Sequence, residues 1–447
     1  MAKKEITKNN INSRGGQLGP WMLTSLVVGN MIGSGIFMLP ASLAVFGSIS
    51  IVAWILTAIG SMCLALVFSN LSRRMPHTGG PYIFCREVLG NFAGFQVAYN
   101  YWIYICVGTA GIAVAFTSYL GVFWPVLNEN HVFSFFVKAG VIWMLTLISI
   151  FGVRNAGLVQ LLTTVLKILP LALVGIVGIF FVQGDNLAHF NVSGMSDLSA
   201  LTGAATLTLW AFTGLESATV PADEVDNPAN IQRATILGTL IATLIYILST
   251  IVIMGMFNVV ELQHSTAPFA DAGRKIFGQA GVLIITIGAV ISCFGALNGW
   301  IMLQGQIPKA AARDGVFPKL FARESRYKTP AVGLLISSLF ITMLLTLTIS
   351  QGLLKQFTFI TLLATLAVLV PYLLSSIAEL VLLLRDKKQF SGVRLFKSLL
   401  ITTLAILYSL WAIIGSGTEI IIYGSILFLS GVPIYLIKCR RSYDSFK

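Results

Sequence analysis

Long apolar runs separated by short polar connections repeat along nearly the whole chain. Twelve runs of helical-span length are predicted, at roughly 20–46, 50–72, 90–123, 132–152, 157–183, 199–220, 231–257, 280–305, 330–349, 357–383, 396–415 and 418–437. Each can cross about 30 Å of hydrocarbon as a helix. The short alternating segments of a membrane barrel are not seen. An all-α membrane protein with about twelve transmembrane helices is therefore expected. No linker or soluble insert interrupts the runs. One membrane domain over 17–440 is expected, with tails at 1–16 and 441–447.

Two runs carry residues that suit lipid badly. The first contains Gly29-Asn30-Met31-Ile32-Gly33-Ser34-Gly35, and the sixth passes through Thr213-Gly214 to Glu216 and Pro221. Backbone polar groups must be satisfied inside a membrane, so broken helices are tolerated only against protein or a polar cavity. A break frees amides at one half-helix N-terminus and carbonyls at the other half's C-terminus. Two such breaks can hold a zwitterion, carboxylate on one and ammonium on the other. The alternative is glycines that only permit close helix packing. The breaks stand first in spans 1–5 and first in spans 6–10, spans 3 and 8 are both long, and Pro170 and Pro371 fall in the fifth span of each half. That symmetry predicts a 5+5 inverted repeat with helices 1 and 6 broken, followed by two C-terminal helices.

Composition agrees: 56% of residues are hydrophobic and 10% charged, against about a quarter charged in soluble domains. The net charge of +12 could suggest a polyanionic partner. Its placement explains it otherwise. Of 29 Lys and Arg, 24 fall in the tails and loops of one side; the other side has Arg274, Lys275 and Lys355, and Lys138 and Lys167 lie within spans. The positive-inside rule then puts both termini in the cytoplasm, and no nucleic-acid partner is expected. The first 16 residues are polar and no cleavable signal peptide is expected. The five cysteines have neither metal-ligand nor disulfide spacing.

Ionisable groups inside spans are functional candidates. Glu216 follows the second break and could bind an ammonium or carry a proton. Lys167 sits near the middle of span 5, where its ammonium could neutralise carbonyls freed by the first break or titrate. Lys138 and Glu379 lie near span ends, where both can snorkel, and a structural role is expected for them. Trp210 precedes the second break, a poor place for an interfacial aromatic; its ring could close over a substrate or stack on a cation. The four histidines, His77, His131, His189 and His264, fall in predicted loops, and no phosphate-binding glycine loop is present. No enzyme activity, cofactor, metal site or ATP-driven transport is expected.

The segments "GNMIGSGIFMLP", "LTLWAFTGLESATV" followed by "DNP", and "KAAARDGVFPKLFAR" resemble the amino acid–polyamine–organocation (APC) superfamily of transporters. Within it the chain is most similar to the basic amino acid/polyamine antiporter branch, which includes arginine/agmatine exchangers. The resemblance implies alternating access, lipid as surroundings, residence in a bacterial inner membrane and often a homodimer. It implies that Ile32, Gly33, Ser34 and Gly35 hold a substrate carboxylate and that Trp210, Ala211 and Thr213 hold the amino group through carbonyls. Gating aromatics match Tyr101, Trp210, Trp300 and Tyr372, and the acidic gate position matches Glu216. The side-chain pocket matches Tyr104, Ile105, Thr109, Ile112 and Ala364, which differ from the arginine exchanger's residues there. Lys167 resembles the span 5 lysine of proton-coupled symporters and sodium-independent exchangers. The implied function is a sodium-independent secondary active amino acid transporter, an amino acid or amino acid/amine antiporter. The alternatives are a proton-coupled symporter of neutral amino acids, with Lys167 and Glu216 as proton-coupling candidates, and a transport-inactive sensor or channel.

Overall fold

The structure, a computed structural model, describes residues 19–77, 79–151, 156–219, 225, 227–327, 329–387 and 392–444. Pro221, Arg154 and the tail 1–18 lie outside the described residues. All regular structure among the described residues is helical. The first run divides into α1 (Pro20–Met31) and α2 (Ser34–Leu43), followed by α3 (Ile49–Arg74), a short α4 (Pro81–Leu89) and the long α5 (Asn91–Leu120). Then come the one-turn α6 (Val126–Glu129), α7 (His131–Phe151), α8 (Ala156–Val177) and a second one-turn helix, α9 (Gly184–Leu187). The later part has α10 (Asp197–Phe212), α11 (Pro228–Met256), α12 (Val259–Gln263), α13 (Pro268–Arg313), α14 (Ala331–Leu347) and α15 (Leu353–Arg385). It closes with α16 (Gly392–Gly415) and α17 (Thr418–Asp444).

Among the described residues, ten helices are long and apolar enough to cross a membrane. Leu166–Phe181 and Ala331–Leu347 are shorter apolar helices at the places of the fifth and ninth expected spans. The eighth expected span begins just past a kink in α13, where Gly278 stands at φ 61°. Only a residue without Cβ adopts that angle at little cost, so the helix before the kink and the one after it run in different directions.

Burial follows the lipid-facing pattern of a multi-pass membrane protein. α5 is buried along nearly its whole length and packs against α13 and α15, whereas α16 and α17 lie outside and expose large apolar side chains such as Phe396 and Leu429. Ser and Thr inside the bundle turn back on their own helix. Thr109 donates to Ile105 O at 2.7 Å and Thr365 to Thr361 O at 2.7 Å, which satisfies a hydroxyl where water is absent.

Two charged side chains near span ends are buried. Lys138 is 2% exposed and does not snorkel; its Nζ donates to Gln356 Oε1 at 2.6 Å, and Gln356 in turn donates to Thr348 O at 2.6 Å. Glu379 is also wholly buried, with Asn70, Arg73 and Arg74 of α3 as its polar neighbours. For Lys138 a neighbouring helix supplies the partner, so its side chain has no need to reach the interface; both Glu379 carboxylate oxygens are buried without a hydrogen bond, facing the arginines of α3. On the same end of the bundle α4 is pinned to the end of α13: Tyr82 Oη and Arg86 Nη1 each donate to Asp314 Oδ2 at 3.0 Å.

Candidate functional site

The first break is real and short. α1 ends with Ile32 N donating to Val28 O at 2.8 Å, and α2 begins at Ser34 after Gly33. A helix begun by Ser and Gly presents its free amides with no bulky side chain over them. Ser34 Oγ is buried with no hydrogen-bond partner.

The second break follows Phe212. Thr213 closes α10 by donating from N (3.2 Å) and from Oγ1 (2.7 Å) to Trp210 O. Gly214 then takes φ 96°, a left-handed turn that glycine adopts readily. Its carbonyl accepts from Ser217 Oγ at 2.5 Å. The Trp210 carbonyl, expected on resemblance to face an amino group, is thus already engaged by its own chain.

The two breaks touch. Asn30 Nδ2 donates to Ser217 Oγ at 2.9 Å, across 187 residues of sequence. A carbonyl left over at the end of α1 finds a cation: Lys167 Nζ, fully buried on α8, donates to Gly29 O at 2.9 Å. Glu216, also fully buried, accepts from Tyr101 Oη and from Tyr372 Oη, each at 2.5 Å. The Tyr372 hydroxyl accepts in turn from Gly214 N at 3.4 Å. A carboxylate with two phenolic donors ties α5, α15 and the second break together beside the cavity.

That cavity is about 10 Å³ and is lined by Asn30, Met31, Gly33, Ser34, Gly35, Ile112, Trp210, Thr213 and Trp300. Aromatic rings stand around it. Trp210 and Trp300 lie 5.5 Å apart between centroids, Tyr104 lies 5.0 Å from Trp300 edge-on, and Tyr101 lies 5.4 Å from Tyr104. Ring faces at this spacing form walls that attract a cation as well as apolar chain.

Of the residues singled out in the sequence, Gly33, Ser34, Gly35, Ile112, Trp210, Thr213 and Trp300 come together on the cavity. Ile32 adjoins it in the chain, and Ala211 backs Gly35, where an added Cβ would lie 3.5 Å from Ala211 Cα. Tyr104 joins through its ring. Ile105, Thr109 and Ala364 are buried but stand off the cavity, and the Thr109 hydroxyl is spent on its own helix. Sequence reasoning missed Asn30 and Ser217 as a pair and Gly29 as the acceptor for Lys167. Asn30 did leave a signal, being an amide inside an apolar run.

Comparison with known proteins agrees in extent. The family description "Amino acid permease" matches residues 18–431. A Bacillus subtilis (strain 168) protein provisionally named an arginine/ornithine antiporter is 35% identical, covering 93% of this chain and 96% of its own. The putrescine transporter PotE of Haemophilus influenzae is 33% identical over 95% of this chain and 98% of its own. The cadaverine/lysine antiporter of Escherichia coli (strain K12) is 33% identical over 90% of each.

Proposed function

The chain belongs to the amino acid permease family, and from that premise we propose that it is a sodium-independent secondary active antiporter of amino acids and their amines, working by alternating access. The observation that carries this reading is the meeting of two helix breaks at one cavity, with the Ser34 hydroxyl unpartnered among free amides and indole rings opposite. A carboxylate suits the α2 N-terminus, where dipole and amides favour an anion. The indole and phenol faces suit an ammonium or an unbranched cationic chain. Three relatives named for arginine, ornithine, putrescine, cadaverine or lysine support basic amino acids and the matching amines as the substrates to try first.

Lys167 supports sodium independence, since its ammonium already serves a carbonyl that the first break leaves over. Twelve spans, the 5+5 repeat with α1–α2 and α10 as the broken helices, one domain over 17–440 and cytoplasmic termini complete the proposal, the last resting on the lysine and arginine asymmetry. Gating falls to Tyr101, Trp210, Glu216, Trp300 and Tyr372.

Counterflow tests it. Proteoliposomes loaded with unlabelled ornithine, lysine, arginine, putrescine or cadaverine should accumulate the labelled compound from outside, without sodium, and empty ones should not. A second reading, proton symport of neutral amino acids, is favoured by the buried Lys167; uptake driven by a pH gradient into empty liposomes would establish it instead. No uptake of any amino acid or amine in either arrangement would overturn both.

A further inference from the structure

The Trp210 ring is held at both ends by glycines. At its pyrrole end lies Gly35 of α2, where an added Cβ would stand 3.0 Å from Trp210 Cδ1 and 3.3 Å from Nε1. At its benzo end lies Gly108 of α5, where an added Cβ would stand 2.7 Å from Trp210 Cη2. The same imagined Cβ at Gly108 runs into the Trp300 ring, on top of Cζ3 and 2.9 Å from Cη2. Gly108 is in the middle of a buried helix with ordinary helical backbone, so no turn or positive φ calls for a glycine there. A glycine costs a helix about 1 kcal/mol relative to alanine. The space its missing side chain leaves is filled by the two indoles that wall the cavity.

We infer that Gly108 is a positioning residue, the seat on which the Trp210 and Trp300 indoles close together. The inference rests on the antiporter reading for its meaning in transport, though the seat itself is a packing statement. Two rings from α10 and α13 converge on one backbone site of α5, so neither can reach its closed position if that site carries a methyl group. The size of residue 108 then sets how small the closed site becomes. With glycine it closes around a slender unbranched chain; with alanine both rings stand off and closure is incomplete. Gly111, one turn along the same helix, provides contrast: an added Cβ there meets Ile360 Cγ2 at 3.3 Å and touches neither indole.

The test is a double-mutant cycle on the full-length protein in proteoliposomes, using Gly108→Ala, Trp300→Phe and the pair, with labelled ornithine and putrescine as probes. Phenylalanine lacks the benzo edge that meets Gly108. Gly108→Ala should lower turnover about tenfold or more through overpacking, with a smaller change in KM, while Gly111→Ala should transport as the parent does. The double variant should be about threefold or more above the product of the two single effects, the mark of sites in contact. Additive effects would overturn the seat. The same cycle read as thermal unfolding needs no substrate: a coupled unfolding cycle without wild-type exchange sinks the antiporter reading and leaves the seat standing, and additive unfolding sinks the seat. If Gly108→Ala cannot be obtained folded, a folded double variant supports the inference and an equally unfolded one overturns it.

Discussion

Lys167 on α8 and Gly29 on α1 are joined by a single hydrogen bond, Nζ to carbonyl oxygen at 2.9 Å, with the lysine fully buried. The Gly29 carbonyl is one of the last four of α1 and has no further turn of its own helix to accept from. A side chain from a distant helix supplies the donor. The bond therefore stabilises the break itself, and with it the placing of Gly33 and Ser34.

Replacing Lys167 by Met should lower the unfolding free energy by about 1–3 kcal/mol, the cost of a buried acceptor left unmade. Differential scanning fluorimetry of the purified protein reads this directly. Counterflow should fall as well, because the break loses its tie to α8. A Lys167→Met protein that retained full pH-gradient-driven uptake would remove Lys167 from any proton coupling.

The two tyrosines on Glu216 are not equivalent. Tyr372 Oη donates to the carboxylate and also accepts from Gly214 N, whereas Tyr101 Oη has the carboxylate as its hydrogen-bond partner. Each Tyr→Phe change removes a hydrogen bond to a charged group, about 1.5–3 kcal/mol. Tyr372→Phe also strands an amide, so its melting temperature should drop further than that of Tyr101→Phe. Equal drops would show that the Gly214 contact contributes nothing.

Ser34→Ala should separate binding from stability. The hydroxyl has no hydrogen-bond partner in the folded protein, so its removal should leave the melting temperature of the substrate-free protein unchanged or slightly higher. A hydrogen bond to a carboxylate is worth about 1.5–3 kcal/mol, so KM for amino acids should rise roughly tenfold or more. KM for diamines, which have no carboxylate, should hardly move. A parallel loss for both would place Ser34 outside carboxylate recognition.

On α4, burial pushes the Cys85 thiol up from 9.0 to about 12, with Ser375 Oγ 3.6 Å from its sulfur. The unfolded chain therefore releases this proton at a lower pH than the folded one. That contribution to stability is complete below about pH 9 and declines as pH rises toward 12. Cys85 should resist maleimide at neutral pH in the folded protein and react on unfolding. A Cys85→Ser variant should show a shallower loss of stability over that alkaline range.

The breaks were legible because they violate a strict rule. Gly33, Ser34, Gly214 and Glu216 do not belong in lipid, and their misfit shows without knowing any neighbour. Trp210 was legible for the same reason. What could not be read was partnership. Ser217 lies 187 residues from Asn30, and no local pattern joins them. The burial of Lys138 and Glu379 was not legible either, because the groups they face, Gln356 on α15 and the arginines of α3, come from other helices. Ile105, Thr109 and Ala364 were placed by resemblance to a pocket that is lined here by the two breaks, Ile112, Trp210 and Trp300. Gly108 carries no local signal, since what fills the space beside it is two rings from elsewhere in the chain.

The cavity between the breaks holds about 10 Å³, room for a single water at most. No amino acid can meet it as a ready-made mould. The residues that line it must move to admit one, so the rate of association is governed by how often they do. Binding should then be slower than encounter by diffusion, and at high ligand concentration the observed rate should level off at the frequency of opening. Stopped-flow tryptophan fluorescence would give that frequency as a plateau.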